Sequence, residues 1–142
     1  MKIWLVFRSI AFYIGYIPIV VAFSSLTFTV GLALPQGPRQ SLATIANALV
    51  VSWLRLCCGI RVRVEGIEHL PPRPFVALSK HQSSWETYYL QRRLRPVSTI
   101  LKRELLRIPF FGWGLAMVAP IAIDRDNPRE ALRQVMQQGK ER

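Results

Sequence analysis

The stretch "FVALSKHQSSWETYYL", Phe75–Leu90, changes texture part-way along. Phe75 to Ser79 is a short apolar run with the length and composition of a buried strand. From Ser84 to Leu94 the residues read as a helix. The segment therefore predicts a turn from strand into helix. In open α/β sheets the carboxyl ends of strands are where ligands bind, so the turn is well placed for chemistry.

The turn holds an imidazole, His81, and a carboxylate, Glu86. Residues five apart on a regular helix are rotated by about 140° and do not face one another. His81 is therefore expected before the helix, with Glu86 in its first turn. From there the carboxylate can reach one imidazole nitrogen and fix the tautomer, leaving the other nitrogen to accept a proton. The same residues also spell a capping box, Ser83-Ser84-Trp85-Glu86, in which Ser83 caps the helix and Glu86 returns a hydrogen bond to the Ser83 amide. The residues alone leave both readings open. The other histidine, His69 in "GIEHLP", reads as an exposed loop residue.

Working outward, "IRVRVEG" (Ile60–Gly66) alternates apolar and charged residues with the period of a half-buried strand. Pro71, Pro72 and Pro74 form a turn before Phe75. Downstream, "VSTILK" reads as a strand, "RELLRI" as a helical turn stopped by Pro109, and "IAID" as another strand. "GWGLAMVAP" fits helix or strand. The last segment reads as a helix, with Asn127 as N-cap and Pro128 in its first position. Strands alternating with helices predict an α/β domain with a mainly parallel sheet.

The amino-terminal part is different. No charged residue occurs from Ser9 to Pro38, and the apolar run there exceeds the roughly 20 residues needed to span a bilayer. It is about twice as long as a signal peptide's apolar core of about 7 to 15 residues, so a retained membrane segment is expected. A second uncharged stretch, Ser41–Leu54, looks too short to span and suits an interfacial or re-entrant helix. The pair predicts a helical hairpin dipped into one leaflet, or one span followed by a surface helix. Arg39, Arg55, Arg61 and Arg63 flank the second helix, and the positive-inside rule puts them in the cytoplasm.

Lys and Arg total 19 against 8 Asp and Glu, a net charge of +11, while 51% of residues are hydrophobic. That pairing points to a membrane surface carrying anionic lipid. No nucleic-acid-binding module accompanies the charge, so nucleic acid is not expected as a partner. Arg92, Arg93, Arg95, Lys102, Arg103 and Arg107 form either a solvated face or a contact for anionic lipid or an acidic carrier protein. Cys57 and Cys58 are adjacent, give no spaced disulfide framework, and are expected as reduced, buried thiols. With two histidines, they give no metal-ligand set of usual spacing.

"KHQSSWET" (Lys80–Thr87) resembles the His-x4-Asp block of the glycerolipid acyltransferases, specifically the 1-acylglycerol-3-phosphate acyltransferases. "LKRELLRIPFFGWGLAMVAPIAIDR" (Leu101–Arg125) resembles the next region of that family: a Lys-x-Glu-Leu element containing Lys102, a Pro-x-Phe-Gly turn, and a strand ending in Ile-Asp-Arg. "VEGIEHLP" is similar to the family's lead-in to its first block.

The resemblance implies that His81 is the general base taking a proton from the free hydroxyl of a lysophospholipid. The alkoxide would attack an acyl thioester carried by acyl carrier protein or coenzyme A, giving phosphatidic acid. Glu86 would support His81, Arg125 would hold the acceptor phosphate through its guanidinium, and Ser83 and Lys102 would be supporting motif residues. On composition alone Arg125 would pair with Asp124 or Asp126 at the surface. No cofactor and no metal are implied, and the expected place is a bacterial inner membrane with the domain on its cytoplasmic face. Glu86 stands where the family usually has Asp, Lys80 where it often has Asn, and Ala119 and Ala122 where it often has Gly and Phe.

The family's later Glu-Gly-Thr-Arg and Pro-containing blocks do not occur in this sequence. The expectation is a hairpin over residues 1–58 and the first part of an α/β acyltransferase domain over 59–142. Two other readings remain open: an acyltransferase with another acceptor (glycerol 3-phosphate, a lyso-ornithine lipid or a lipid A precursor, some lipid A acyltransferases also using Glu in this block), and a non-catalytic membrane-anchored protein.

Overall fold

The computed structural model describes residues 2–140. Two long helices come first, α1 (Lys2–Gly31) and α2 (Gln36–Cys58). After a long, mostly irregular segment with one 3-10 turn (Ile67–His69) follow α3 (Trp85–Arg93), strand β1 (Ile100–Lys102), a second 3-10 turn (Arg103–Arg107), α4 (Phe111–Met117), strand β2 (Ile121–Ile123) and α5 (Pro128–Lys140). The two strands pair in parallel, with Ile100 opposite Ile121 and Lys102 opposite Ile123. The chain is a largely helical α/β fold around a small parallel sheet.

The hairpin of α1 and α2 is held at both chemical levels. Gly15 packs so closely on Trp53 that a Cβ there would collide with the indole ring. Trp53 Nε1 also donates to the Phe12 carbonyl at 3.0 Å. Near the start of α1, Arg8 Nε donates to the Cys57 carbonyl at 2.6 Å, satisfying a group that the end of α2 leaves without a helical partner. Gly59 then ends α2 in the left-handed region (φ 68°), where a side chain is strained, and its N–H bonds the Arg55 carbonyl.

Helix α2 differs from the expectation of a short interfacial segment. It runs for 23 residues because Arg39 and Arg55 lie inside it, near its two ends, and both α1 and α2 are long and apolar enough to cross a membrane. The face of α2 turned inward is nevertheless mixed, burying Gln40, Ala43, Thr44, Asn47 and Val50. Arg39 is half-buried against Gly31, whereas Arg55, Arg61 and Arg63 are exposed. The cysteines are free and half-buried rather than fully buried.

Most of the other elements fall where the sequence placed them: α3 and β1 inside their predicted segments, a 3-10 turn ahead of Pro109, β2 in "IAID", and α5 from Pro128 with Asn127 Oδ1 accepting the Glu130 amide at 3.4 Å. "GWGLAMVAP" resolves as helix. Its Gly112 is tightly enclosed, since a Cβ would strike the Leu106 carbonyl.

Two predicted strands do not form. Ile60–Gly66 and Phe75–Ser79 are irregular, and Val76 and Leu78 are 85% and 96% exposed. A strand is stable only when its N–H and C=O groups meet a neighbouring chain, and no partner for either segment occurs among the described residues. The apolar pattern was right for a strand, but pattern alone does not supply the pairing. The small core lies between the sheet and its helices and includes Leu101, Met117, Val118, Ile121 and Ala131.

Candidate active site

The residues from Ser79 to Ser84 enter α3 without helical structure, so His81 lies before the helix and Glu86 in its first turn. His81 Nδ1 stands 3.8 Å from Glu86 Oε2. The imidazole is 66% exposed, while the carboxylate is only 17% exposed. The pair is thus asymmetric: the carboxylate is built into the turn and the imidazole reaches outward.

Glu86 is held by the chain that precedes it. Its Oε1 accepts the Gln82 amide at 3.1 Å, and its Oε2 accepts the Ser83 amide at 2.9 Å and the Ser83 hydroxyl at 3.2 Å. Partial burial pushes the Glu86 carboxyl up, but hydrogen bonds from its own amide, from the Gln82 and Ser83 amides, and from the Ser83 hydroxyl outweigh it. The net result lies below the ordinary glutamate value. The carboxylate is therefore kept charged beside the imidazole.

This is half of the predicted capping box. The return bond from Glu86 to the Ser83 amide is present, but the helix begins one residue later than the box requires. Ser84 occupies the N-cap position and its side chain makes no cap bond, while the Ser83 hydroxyl is turned to the carboxylate instead. The negative charge close to the first turn also suits the helix dipole.

Arg125 follows β2 and is exposed, and it makes no ion pair with Asp124 or Asp126 among the described residues. Asp124 is occupied otherwise: its Oδ1 accepts the Asp126 amide at 3.0 Å. Lys102 ends β1 and lies 3.8 Å from Glu104 across an exposed pair. The parallel register places Lys102 beside Ile123, so Lys102 and Arg125 emerge at the same carboxyl edge of the sheet. No hydrogen bond or ion pair among the described residues joins either of them to His81 or Glu86. His69 is exposed, 3.5 Å from Glu68.

Ala119, noted as standing where the related family often has glycine, has φ 53° and is buried. A left-handed backbone is easy for glycine and strained for alanine, which gives the family preference a physical basis at this position.

Sequence reading missed Gln40, Asn47 and Gln91. Gln40 Nε2 donates to the Val97 and Val118 carbonyls, at 2.6 and 3.0 Å, and its Oε1 accepts the Val97 amide at 3.3 Å. One side chain thus ties together the approaches to β1 and β2. Asn47 Nδ2 donates to Gln91 Oε1 at 3.0 Å. The signal available was polar side chains recurring at Gln40, Thr44 and Asn47, one helical face, within an otherwise apolar helix.

Comparison with known proteins agrees with the motifs. The model of the Acyltransferase family matches residues 61–141. A 1-acyl-sn-glycerol-3-phosphate acyltransferase of Pseudomonas aeruginosa is 43% identical over 135 residues, covering 94% of this chain and 52% of that protein. One of Saccharomyces cerevisiae is 32% identical over 80 residues, 56% of this chain and 26% of its own length. A human 1-acyl-sn-glycerol-3-phosphate acyltransferase alpha is 35% identical over 89 residues, 59% of this chain and 30% of its own. The chain spans about half the length of the Pseudomonas relative and less of the others. No solved structure matches. With the family match covering more than half of its residues and both motif regions inside it, the chain belongs to the acyltransferase family.

Proposed function

We propose that these residues form the proton-transfer part of a 1-acylglycerol-3-phosphate acyltransferase, which moves a fatty acyl group from a thioester to the free hydroxyl of lysophosphatidic acid and yields phosphatidic acid. The observation that carries this reading is His81 Nδ1 at 3.8 Å from a carboxylate held by two backbone amides. Glu86 orients the imidazole through Nδ1 and stabilises its protonated form, so Nε2 is left to take the acceptor's proton. The alkoxide adds to the thioester carbonyl, the carbon–sulfur bond breaks, and the thiolate leaves with the proton from His81. Apparent catalytic hydrogen bonds are commonly long without substrate, and 3.8 Å closes with a small rotation of an exposed ring.

In this reading Arg125 binds the acceptor phosphate, aided by Lys102 at the same sheet edge. The acyl donor is a thioester of acyl carrier protein or coenzyme A. Residues 1–58 form the membrane hairpin and the rest belongs to the catalytic domain, on the cytoplasmic face of a bacterial inner membrane. Support for partial immersion comes from the surface: Ile3, Phe7, Ile10, Ile14 and Ile17 are exposed along one side of α1, while α3 and α4 cover part of the hairpin. Arg55, Arg61 and Arg63, at the same end of the hairpin as Arg8, suit anionic headgroups.

The test is acylation of lysophosphatidic acid in vesicles by the native protein containing these residues, compared with His81→Ala. The side chain is exposed, so folding is expected to be unchanged while turnover falls by about 10²- to 10⁴-fold. Unchanged turnover in a folded, membrane-bound variant would remove His81 from the mechanism.

A further inference from the structure

Arg125 lies between two carboxylates, Asp124 and Asp126, in the short connection that leads from β2 to α5. Both ends of this connection are fixed. Ile123 stands opposite Lys102 in the sheet, and Asn127 Oδ1 accepts the Glu130 amide in the first turn of α5. A second tie runs alongside: Arg103 Nη2 donates to Gln134 Oε1 at 3.4 Å, joining the exit of β1 to α5.

Inside the connection, the Asp126 amide donates to Asp124 Oδ1 at 3.0 Å. An aspartate that accepts from the amide two residues on closes an Asx turn, with the intervening residue at its apex. Here that residue is Arg125. Asp124 is half-buried whereas Arg125 and Asp126 are exposed, so the turn folds one carboxylate back onto the chain and leaves the arginine at the surface.

The bond acts on Arg125 in two ways. It fixes the backbone around that residue, and with it the direction in which the side chain departs. It also engages a carboxylate that would otherwise compete for the guanidinium: among the described residues neither Asp124 nor Asp126 forms an ion pair with Arg125. A phosphate held by two parallel N–H donors needs the guanidinium plane aimed, so direction counts as well as charge. An open connection would have to be ordered when the phosphate binds, at a cost in conformational entropy.

We propose that Asp124 is a positioning residue for the acceptor phosphate, holding Arg125 at the apex of an Asx turn with its guanidinium unpaired. The proposal rests on the reading of Arg125 as the phosphate contact. It adds a residue that touches no substrate and acts through the backbone of its neighbour. A negative group beside a phosphate opposes binding, so the useful part of Asp124 is its acceptor oxygen and not its charge.

The experiment uses the native protein containing these residues in phosphatidylethanolamine–phosphatidylglycerol vesicles. Lysophosphatidic acid is varied at a saturating acyl thioester, and the thioester is varied in turn. Asp124→Asn keeps the oxygen that closes the turn and removes the charge, so its KM for lysophosphatidic acid is expected at or below the wild-type value. Asp124→Ala opens the turn. Its KM for lysophosphatidic acid is expected to rise about fivefold, in line with the loss of one hydrogen bond, with kcat and the thioester KM changed by less than about twofold. Asp126→Ala keeps the donating amide and removes an exposed charge, and is expected to change each KM by less than about twofold. In an Arg125→Ala background Asp124→Ala is expected to add nothing, because the side chain it positions is gone.

An asparagine variant as weak as alanine, an unchanged acceptor KM in the alanine variant, equal losses in kcat and thioester KM, or a full further rise on top of Arg125→Ala would overturn the positioning role and leave the phosphate reading intact. If Arg125→Ala itself leaves the acceptor KM unchanged, the phosphate reading fails and the positioning role fails with it. Asp124→Ser, whose hydroxyl closes the same turn more weakly, is expected between asparagine and alanine, and it takes the place of alanine if that variant does not fold.

Discussion

Ser83 offers both its amide and its hydroxyl to Glu86, at 2.9 and 3.2 Å from the same carboxylate oxygen. That oxygen is also the one facing His81. The carboxylate therefore closes the turn and faces the imidazole at once, and the two tasks can be separated experimentally. In Glu86→Gln the amide side chain retains one acceptor oxygen for the Ser83 or Gln82 amide but no charge. Only a small drop in melting temperature is expected, together with a loss of turnover of about 10²-fold. Thermal unfolding and acyl transfer measured on one preparation check this; full turnover with a large loss of stability would leave Glu86 as a cap alone.

The same carboxylate makes the turn sensitive to acid. The folded-state value of Glu86 lies below its ordinary value of 4.5. Its ionised form therefore favours the folded state at neutral pH, and this contribution fades as pH falls from the ordinary value through the lower folded one. Melting temperature followed from about pH 6 down to about pH 3 is expected to decline less steeply in Glu86→Gln than in the wild type.

Arg125 is exposed and free of ion pairs among the described residues, so its removal is not expected to affect folding. If it holds the acceptor phosphate, Arg125→Ala raises the KM for lysophosphatidic acid by about tenfold or more, the value of a charge-assisted contact, with a smaller effect on the KM for the thioester. Arg125→Lys keeps the charge and loses the two-pronged geometry, and falls between. A change confined to the thioester KM would move Arg125 to the donor side.

Ala119 carries backbone strain that glycine would relieve. Ala119→Gly is expected to stabilise the protein by about 0.5–1 kcal/mol, the cost of a left-handed alanine less the extra freedom glycine gives the unfolded chain. Chemical denaturation at fixed pH measures this directly, and a destabilisation would show that the Ala119 methyl group contributes more through packing than its backbone costs.

The irregular segment between α2 and α3 exposes Arg61, Arg63, Arg73 and Lys80. Limited trypsin digestion of the chain is expected to cut there first, before Arg92 or Arg103, because a protease needs an extended segment free of backbone pairing. Protection of this segment would mean that it is paired in solution.

The fold was legible wherever local residues decide it. Asn127 and Pro128 announce α5, Pro109 ends the 3-10 turn, and the short runs in "VSTILK" and "IAID" supply β1 and β2, which pair in parallel. It was not legible in Phe75–Ser79, whose apolar run names a strand but not a partner to pair with. The extent of α2 was misread for a different reason: counting only between charges stops at Ser41 and Leu54, although an arginine in the first or last turn leaves a helix uninterrupted. At the site, spacing placed His81 before the helix and Glu86 within it. Which serine occupies the cap position depends on a single residue of register, which spacing does not resolve.

The buried side of α2 bears on how proteins of this family can be rearranged. Gln40 alone makes three hydrogen bonds to the loops that enter β1 and β2, and Asn47 extends the contact to α3. A membrane anchor is often treated as an exchangeable module, to be replaced by any sufficiently greasy segment. Here a chimera carrying a foreign helix would reach the membrane yet leave those loops without their partners, unless Gln40, Thr44 and Asn47 were transplanted with it.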